Sequence, residues 1–351
     1  MNKLGIEELK RLKLEAQRES IIEARDDGYI IWEVGNVLQL NYKSVGCSFG
    51  KQGYCMVCEY GRANSNITQQ QCLTGLIEAS EAFENNRNLK ELVIGTYGSI
   101  FDTKEFSREY LEYIANRLRN QDFVNRITFE THYTTVTEDV LQLLKAKLPN
   151  KTVGVELGLE SANKDTLLNS YGKYIDFKQF EKVVNLIKQY GFICNTNIMF
   201  GAPFLTEDEQ EKDTIDSIEW AFNHNIDLVV IFPVNIKPHT YLHKLYENGD
   251  YVEVSSYRLV KLLDKLPTGY LENIVMSWTG DRQSKDIIKT NKAINLSKPI
   301  IKAWSKIIPP YTCDKCRGIL EKFFLDYRLA YTAQERKELI RRALKDKQCR
   351  C

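Results

Sequence analysis

Six apolar, β-branched runs recur along the chain: Val37–Val45, Leu89–Thr96, Arg126–Thr131, Thr152–Leu159, Ile193–Phe200 and Asp227–Val234. Each leads into a loop rich in Gly, Asn or Ser and then into a helical stretch such as FKQFEKVVNLIKQYG. Runs like LVVIFPV are apolar at nearly every position, as parallel strands covered on both faces are. Strand alternating with amphipathic helix calls for right-handed crossovers between parallel neighbours. The fold class is therefore α/β, either a partial (β/α) barrel or an open doubly wound sheet. In both, ligands sit in the loops at the carboxyl ends of the strands.

With 351 residues the chain has room for one such domain and an appendage. The boundaries expected are an N-terminal helical extension over 1–36, a barrel over 37–266 and a basic C-terminal extension over 267–351. The opening MNKLGIEELKRLKLEAQRES has helical spacing and no apolar signal core. No run reaches membrane-spanning length, which points to the cytoplasm and no membrane partner. Nine cysteines in such a chain suit a reducing compartment, where grouped thiols mean metal or chemistry. Leu266 to Cys351 holds 18 Lys and Arg against 9 Asp and Glu, so the first 265 residues carry −8. That basic end is either a solvated face or a landing surface for an anion such as RNA.

CSFGKQGYCMVCEYG follows the first strand directly and spaces Cys47, Cys55 and Cys58 as C-x7-C-x2-C. A structural zinc site needs four ligands, and the next thiol, Cys72, starts a helical stretch as an ordinary core residue would. Three thiolates on a four-iron cube leave one iron open to another ligand. A second group, Cys313 and Cys316 with Cys349 and Cys351, offers four thiols, enough to close a site around zinc or an auxiliary iron–sulfur cluster. His239 and His243 stand four apart but lack a completing carboxylate, and read as a surface pair.

Taken with GSIFDTKEF, FETHYTTVTEDVLQLL, VELGLESANKDTL, APFLTEDE and FPVNIKPHTYLHKLYENGDY at successive strand ends, the triple-cysteine loop resembles the radical S-adenosylmethionine (radical SAM) superfamily. The likeness is strongest to the radical subunit of archaeosine synthase and extends to the radical domain of the elongator acetyltransferase subunit. The C-x7-C-x2-C spacing departs from the superfamily's commonest C-x3-C-x2-C and matches the archaeosine subunit. The resemblance implies a partial (β/α)6 TIM-like barrel with an N-terminal helix and a helical, Cys-containing C-terminal extension. It implies that Cys47, Cys55 and Cys58 bind a [4Fe–4S] cluster that cleaves S-adenosylmethionine to a 5′-deoxyadenosyl radical, which removes hydrogen from a substrate. Cofactor contacts would come from Gly98, Ser99, Glu130, Glu156, Ser161, Asn197, Gly201 and Pro233. Glu130, Glu160 and His132 are the catalytic candidates, the alternative for Glu130 being a salt bridge to Arg126 or a loop lysine. An electron donor such as flavodoxin or ferredoxin, tRNA and a substrate-preparing protein are the implied partners. Two rivals remain at this point, a diverged relative acting on a small molecule or peptide and a non-catalytic, zinc-stabilised RNA-binding module.

Overall fold

The structure, a computed structural model, describes residues 6–18, 29–34, 37–42, 44–61, 91–277 and 307–346. One sheet of eight strands runs in strict sequence order: β1 (Tyr29–Val34), β2 (Val37–Tyr42), β3 (Glu91–Thr96), β4 (Arg126–Thr131), β5 (Thr152–Glu160), β6 (Ile193–Phe200), β7 (Leu228–Pro233) and β8 (Ile274–Met276). β1 pairs antiparallel with β2, and every later neighbour is parallel. A doubly wound sheet reverses its strand order at a switch point; this one never does, so it curls as a partial barrel.

Two strands lie where the sequence reading places flanking extensions. YIIWEV over 29–34 makes an edge hairpin with β2, and the three-residue IVM over 274–276 adds a seventh parallel strand beside β7. A strand of three residues carries too little pattern to be read from sequence.

Strand parity separates two faces. Leu92, Ile94, Ile127, Phe129, Val155, Leu157, Ile198, Phe200, Val229 and Ile231 are fully buried beneath an outer layer of helices, α3 (Arg108–Arg119), α4 (Glu138–Lys147), α5 (Phe177–Gln189) and α6 (Glu207–Asn223). Each of the last three starts at a side-chain cap: Thr137, Asp176, and the Thr206–Glu209 capping box. Residues of the other parity, Glu91, Arg126, Glu130, Glu156, Asn195 and Asn197 among them, line the concave face. Cys194 belongs to the helix-facing set at 0% exposure, as expected.

Helix α1 (Ile6–Arg18) docks over the strand ends. Leu9 is fully buried near Gly172 and Met56, and the Lys10 ammonium sits 4.1 Å from the Tyr54 ring centroid. α2 (Ser48–Lys51) lies in the cysteine loop, and after β7 come α7 (Tyr241–Glu247), α8 (Ser256–Lys265), α9 (Asp314–Leu329) and α10 (Ala333–Lys345). α9 and α10 pack against each other, and α10 lies on α8 and on the 3-10 turn Thr268–Asn273.

Part of the C-terminal positive charge points inward. Arg336, 7% exposed, donates to the carbonyls of Leu271 (2.6 Å), Glu272 (3.1 Å) and Ile274 (2.7 Å), and Lys337 pairs with Asp264 at 2.9 Å. Arg336→Met would take this donor from the Glu272 and Ile274 carbonyls beside β8, while Leu271 O keeps Ile274 N and Tyr327 Oη, and buried acceptors left unmade are expensive. The expected loss is about 3 kcal/mol, read as a fall in the urea midpoint.

Candidate functional site

The cysteine loop is closed by backbone bonds before any side chain acts. Cys47 N donates to Tyr60 O at 3.0 Å, Lys51 N to Cys47 O at 3.0 Å and Cys58 N to Cys55 O at 2.9 Å. The loop is then pinned to the π-helical turn Leu167–Tyr171 that follows β5: Cys55 N donates to Gly172 O (3.0 Å) and Met56 N to Tyr171 O (2.9 Å). Two glycines let the loop fold onto itself. A Cβ on Gly61 would stand 2.3 Å from the Gly50 carbonyl carbon, a separation no packed atoms tolerate. Gly61→Ala is expected to open the loop and cut bound iron to a small fraction of the parent's while far-ultraviolet circular dichroism stays unchanged.

All three thiols are half-buried. Burial, with Cys55 and Glu105 adding to it, pushes the Cys47 thiol up to about 12. Gly50 N donates to Cys47 Sγ at 3.3 Å and Tyr60 N to Cys58 Sγ at 3.4 Å, the bonds a thiolate would strengthen. Three soft sulfur donors from one loop suit an iron–sulfur group and not a hard cation. Among the described residues, no three His, Cys, Asp or Glu side chains gather as closely as a single metal ion needs.

Glu105 ties this loop to the one after β3, and sequence reasoning missed it. Its carboxylate accepts from Ser48 N and Ser99 N, both at 2.8 Å, at 1% exposure. Burial raises its pKa to about 7 against those two amides. Gly98 makes the approach, since a Cβ there would stand 1.7 Å from Glu105 Oε2. Asp102 accepts from Ser48 Oγ at 2.6 Å and from Lys104 N at 2.9 Å, and Ser107 precedes α3. GSIFDTKEF is legible as a loop; that its Glu faces a cysteine loop 57 positions earlier is tertiary information.

Glu160, in a left-handed backbone conformation (φ 65°), meets Lys173 at 2.7 Å, and Lys173 Nζ also donates to Gly158 O at 2.7 Å. Lys173 is 3% exposed and was not read from the sequence. Burial alone would lower its pKa; Glu160, Cys55 and Cys47 outweigh that and keep it raised and charged. Among the described residues no comparable ion pair holds Glu130: Arg126 lies 3.2 Å from Glu91 instead. Burial and the Glu160 carboxylate raise Glu130 above the usual carboxylate range, with Lys237 pulling the other way.

His132 stacks on Phe49 of the cysteine loop (centroids 4.3 Å apart), its N donates to Ser99 Oγ at 3.1 Å, and its Nε2 has no partner. Burial and Lys173 lower its pKa to about 3, which keeps the ring neutral. Ser161, fully buried, donates to Asp213 Oδ1 at 3.0 Å on α6 and is engaged away from the concave face. Gly201 (φ 108°) is dictated by packing, since a Cβ there would stand 2.0 Å from Val254 Cγ2, and its carbonyl accepts from Tyr251 Oη at 2.8 Å. Pro233 closes β7. His239 lies outside α7 at φ 65° and His243 sits 3.3 Å from Glu247, so the pair does not share a helix face.

Of the second thiol group, Cys316 is 1% exposed in the core with Leu320 and Phe323, and Cys313 caps α9; Cys349 and Cys351, like Cys72, lie outside the described residues.

Glu156 is 5% exposed, and burial followed by the Glu130 carboxylate raises its pKa. The unfolded value is about 4.3, so the folded chain binds the extra proton and its stability falls as pH rises through the shifted range. Glu156→Gln is therefore expected to gain stability relative to the parent between pH 6 and 8.5, measured by urea unfolding at each pH.

Residues 43–214 match the Radical SAM superfamily. The chain is 27% identical over 242 residues to the archaeosine synthase subunit beta of Methanosarcina acetivorans, covering 68% of this chain and 69% of that one. It is 23% identical over 282 residues to an uncharacterised protein of Methanocaldococcus jannaschii, covering 79% and 77%. Among solved structures it is similar to the archaeal Methanocaldococcus infernus Elp3 with an N-terminal deletion, at 14% identity and a TM-score of 0.45, covering 76% of this chain and 65% of that one.

Proposed function

We propose that this chain, a radical SAM enzyme, acts on a modified base of tRNA by cleaving a C–N bond, as the similarity to a subunit of archaeosine synthase supports. The observation that carries the reading is the thiol loop itself, three cysteines on a loop whose Cys55 and Met56 amides donate to the Gly172 and Tyr171 carbonyls, above a polar concave face.

Cys47, Cys55 and Cys58 would hold a [4Fe–4S] cluster, which when bound supplies the electron that splits S-adenosylmethionine into methionine and the 5′-deoxyadenosyl radical. Lys173 sets a buried cation beside Cys55 and Cys47, matched to the carboxylate of a bound amino acid. The loop at Gly98 and Ser99 and the carboxylate of Glu130 would hold the ammonium end. Asn197, on β6 with Gly201 beyond it and Pro233 on the neighbouring strand, would hold the ribose and adenine. α1 and the cysteine loop exclude water from above, with Leu9 fully buried there. Among the described residues no helix is long and apolar enough to cross a membrane.

The relative is named as one subunit of its enzyme, so a second chain that prepares the substrate and a flavodoxin- or ferredoxin-type electron donor belong to the proposal. So does a metal, zinc or an auxiliary cluster, at Cys313, Cys316, Cys349 and Cys351. The test is 5′-deoxyadenosine formation by anaerobically purified, iron-loaded chain with a chemical reductant. Faster formation with tRNA than with a small-molecule extract supports the assignment. Stimulation by small molecules or peptides alone overturns the tRNA substrate, and a colourless, iron-free chain overturns the radical reading altogether.

A further inference from the structure

One layer below the Glu160–Lys173 pair, the concave face carries a row of acceptors, two of which, Glu156 and Asn195, the cofactor roles proposed above leave unused. Strand register sets Glu130 of β4 opposite Glu156 of β5, and Glu156 opposite Asn195 of β6. Neighbouring strands lie about 4.8 Å apart, so the three side chains stand in a row on one face. Asn197, two positions beyond Asn195, projects to the same side.

The row is buried. Glu156 is 5% exposed, Asn195 2% and Asn197 7%, and neither Asn195 Oδ1 nor Asn197 Oδ1 has a hydrogen-bond partner. Nearby cations are engaged elsewhere. Lys173 is held by Glu160 and Gly158 O, Arg126 lies against Glu91, and Lys237 stands 5.0 Å over the Tyr60 ring and reaches Glu130 only through space. Among the described residues, two carboxyl groups and two amide oxygens thus converge in a buried place whose neighbouring cations are taken up by other partners. Unmatched buried acceptors are costly, and a fold keeps them where a ligand completes them.

We propose that Glu156 and Asn195 form the floor of a substrate subsite for a protonated amine, with Glu130 and Asn197 at its rim. An ammonium supplies three N–H donors and the positive charge that this row lacks. The inference rests on the reading that the strand ends are the reaction site, where a substrate held by this row would meet the cofactor. An amino-acid adduct on a base would carry such a group; a neutral heterocycle alone would not.

The test uses the full, iron-loaded chain saturated with S-adenosylmethionine and the probe n-pentylammonium chloride, with n-pentanol as the uncharged control, read by saturation-transfer NMR titration. Saturable binding of the ammonium and none of the alcohol is expected. Glu156→Gln, which keeps the shape and removes the charge, should weaken it at least about tenfold, the loss of one charge-assisted bond. Asn195→Leu should weaken it as well, and decides the matter should the first variant fail to fold. Equal binding by the parent and both variants, or no binding by the parent, overturns the subsite. A chain that holds iron but not the amine refutes this inference and leaves the radical reading standing; one that binds the amine but cannot hold iron does the reverse.

Discussion

Cys55→Ala is expected to give a folded chain that has lost its iron, falling from about four irons and four sulfides per chain to near zero, with 5′-deoxyadenosine formation at the detection limit. Cys55 sits at φ 63°, a conformation that strains any residue bearing a Cβ about equally, so alanine removes the sulfur without changing the backbone cost. Its amide bond to Gly172 O survives the change. Cys194→Ala is the control. That thiol faces the helices at 0% exposure, and its loss should cost stability through packing while iron content is kept. Colorimetric iron and sulfide assays on anaerobic protein check both; retained iron in the Cys55 variant would remove the basis for the thiol loop as the cofactor site.

Lys173→Met should have the largest effect on stability of any single change at the site, about 3 kcal/mol by urea unfolding. The ammonium is 3% exposed and bonds both Glu160 and Gly158 O at 2.7 Å. Without it, a carboxylate of only 21% exposure, on a backbone already in the left-handed region, stands beside an orphaned carbonyl. The double variant Lys173→Met with Glu160→Met should recover most of that loss, because removing both charges removes the uncompensated one. Simple addition of the two single effects would show that the pair is not coupled.

Periodicity located four of the strands almost to the residue. Arg126–Thr131 and Ile193–Phe200 form as read, Thr152–Leu159 extends by one residue, and Asp227–Val234 loses one at each end. These are the central strands, where burial on both faces leaves a continuous apolar signal. Val37–Val45 ends early at Tyr42 because Ser44 and Gly46 turn the chain, the Gly46 amide donating to Ser44 Oγ at 3.0 Å. The edge hairpin and β8 escaped notice because what recruits them is an available neighbour in the sheet. The candidate site divides along the same line. Cysteines announce themselves by type and spacing, whereas Glu105 and Lys173 belong to the two most common classes of surface residue. Nothing local distinguishes them from solvated charges.

The amino-acid order by itself determined that parallel strands would alternate with helices and that three sulfurs would follow the first parallel strand, since both depend on residue type and short-range period. Only the folded chain decided which charges went inside. Ser48 and Ser99 amides selected Glu105, Glu160 and the Gly158 carbonyl selected Lys173, and strand register lined up Glu130, Glu156 and Asn195. The physical reason is that burying a polar group is favourable only when partners distant in sequence are brought to it, and those partners exist only once the sheet has curled.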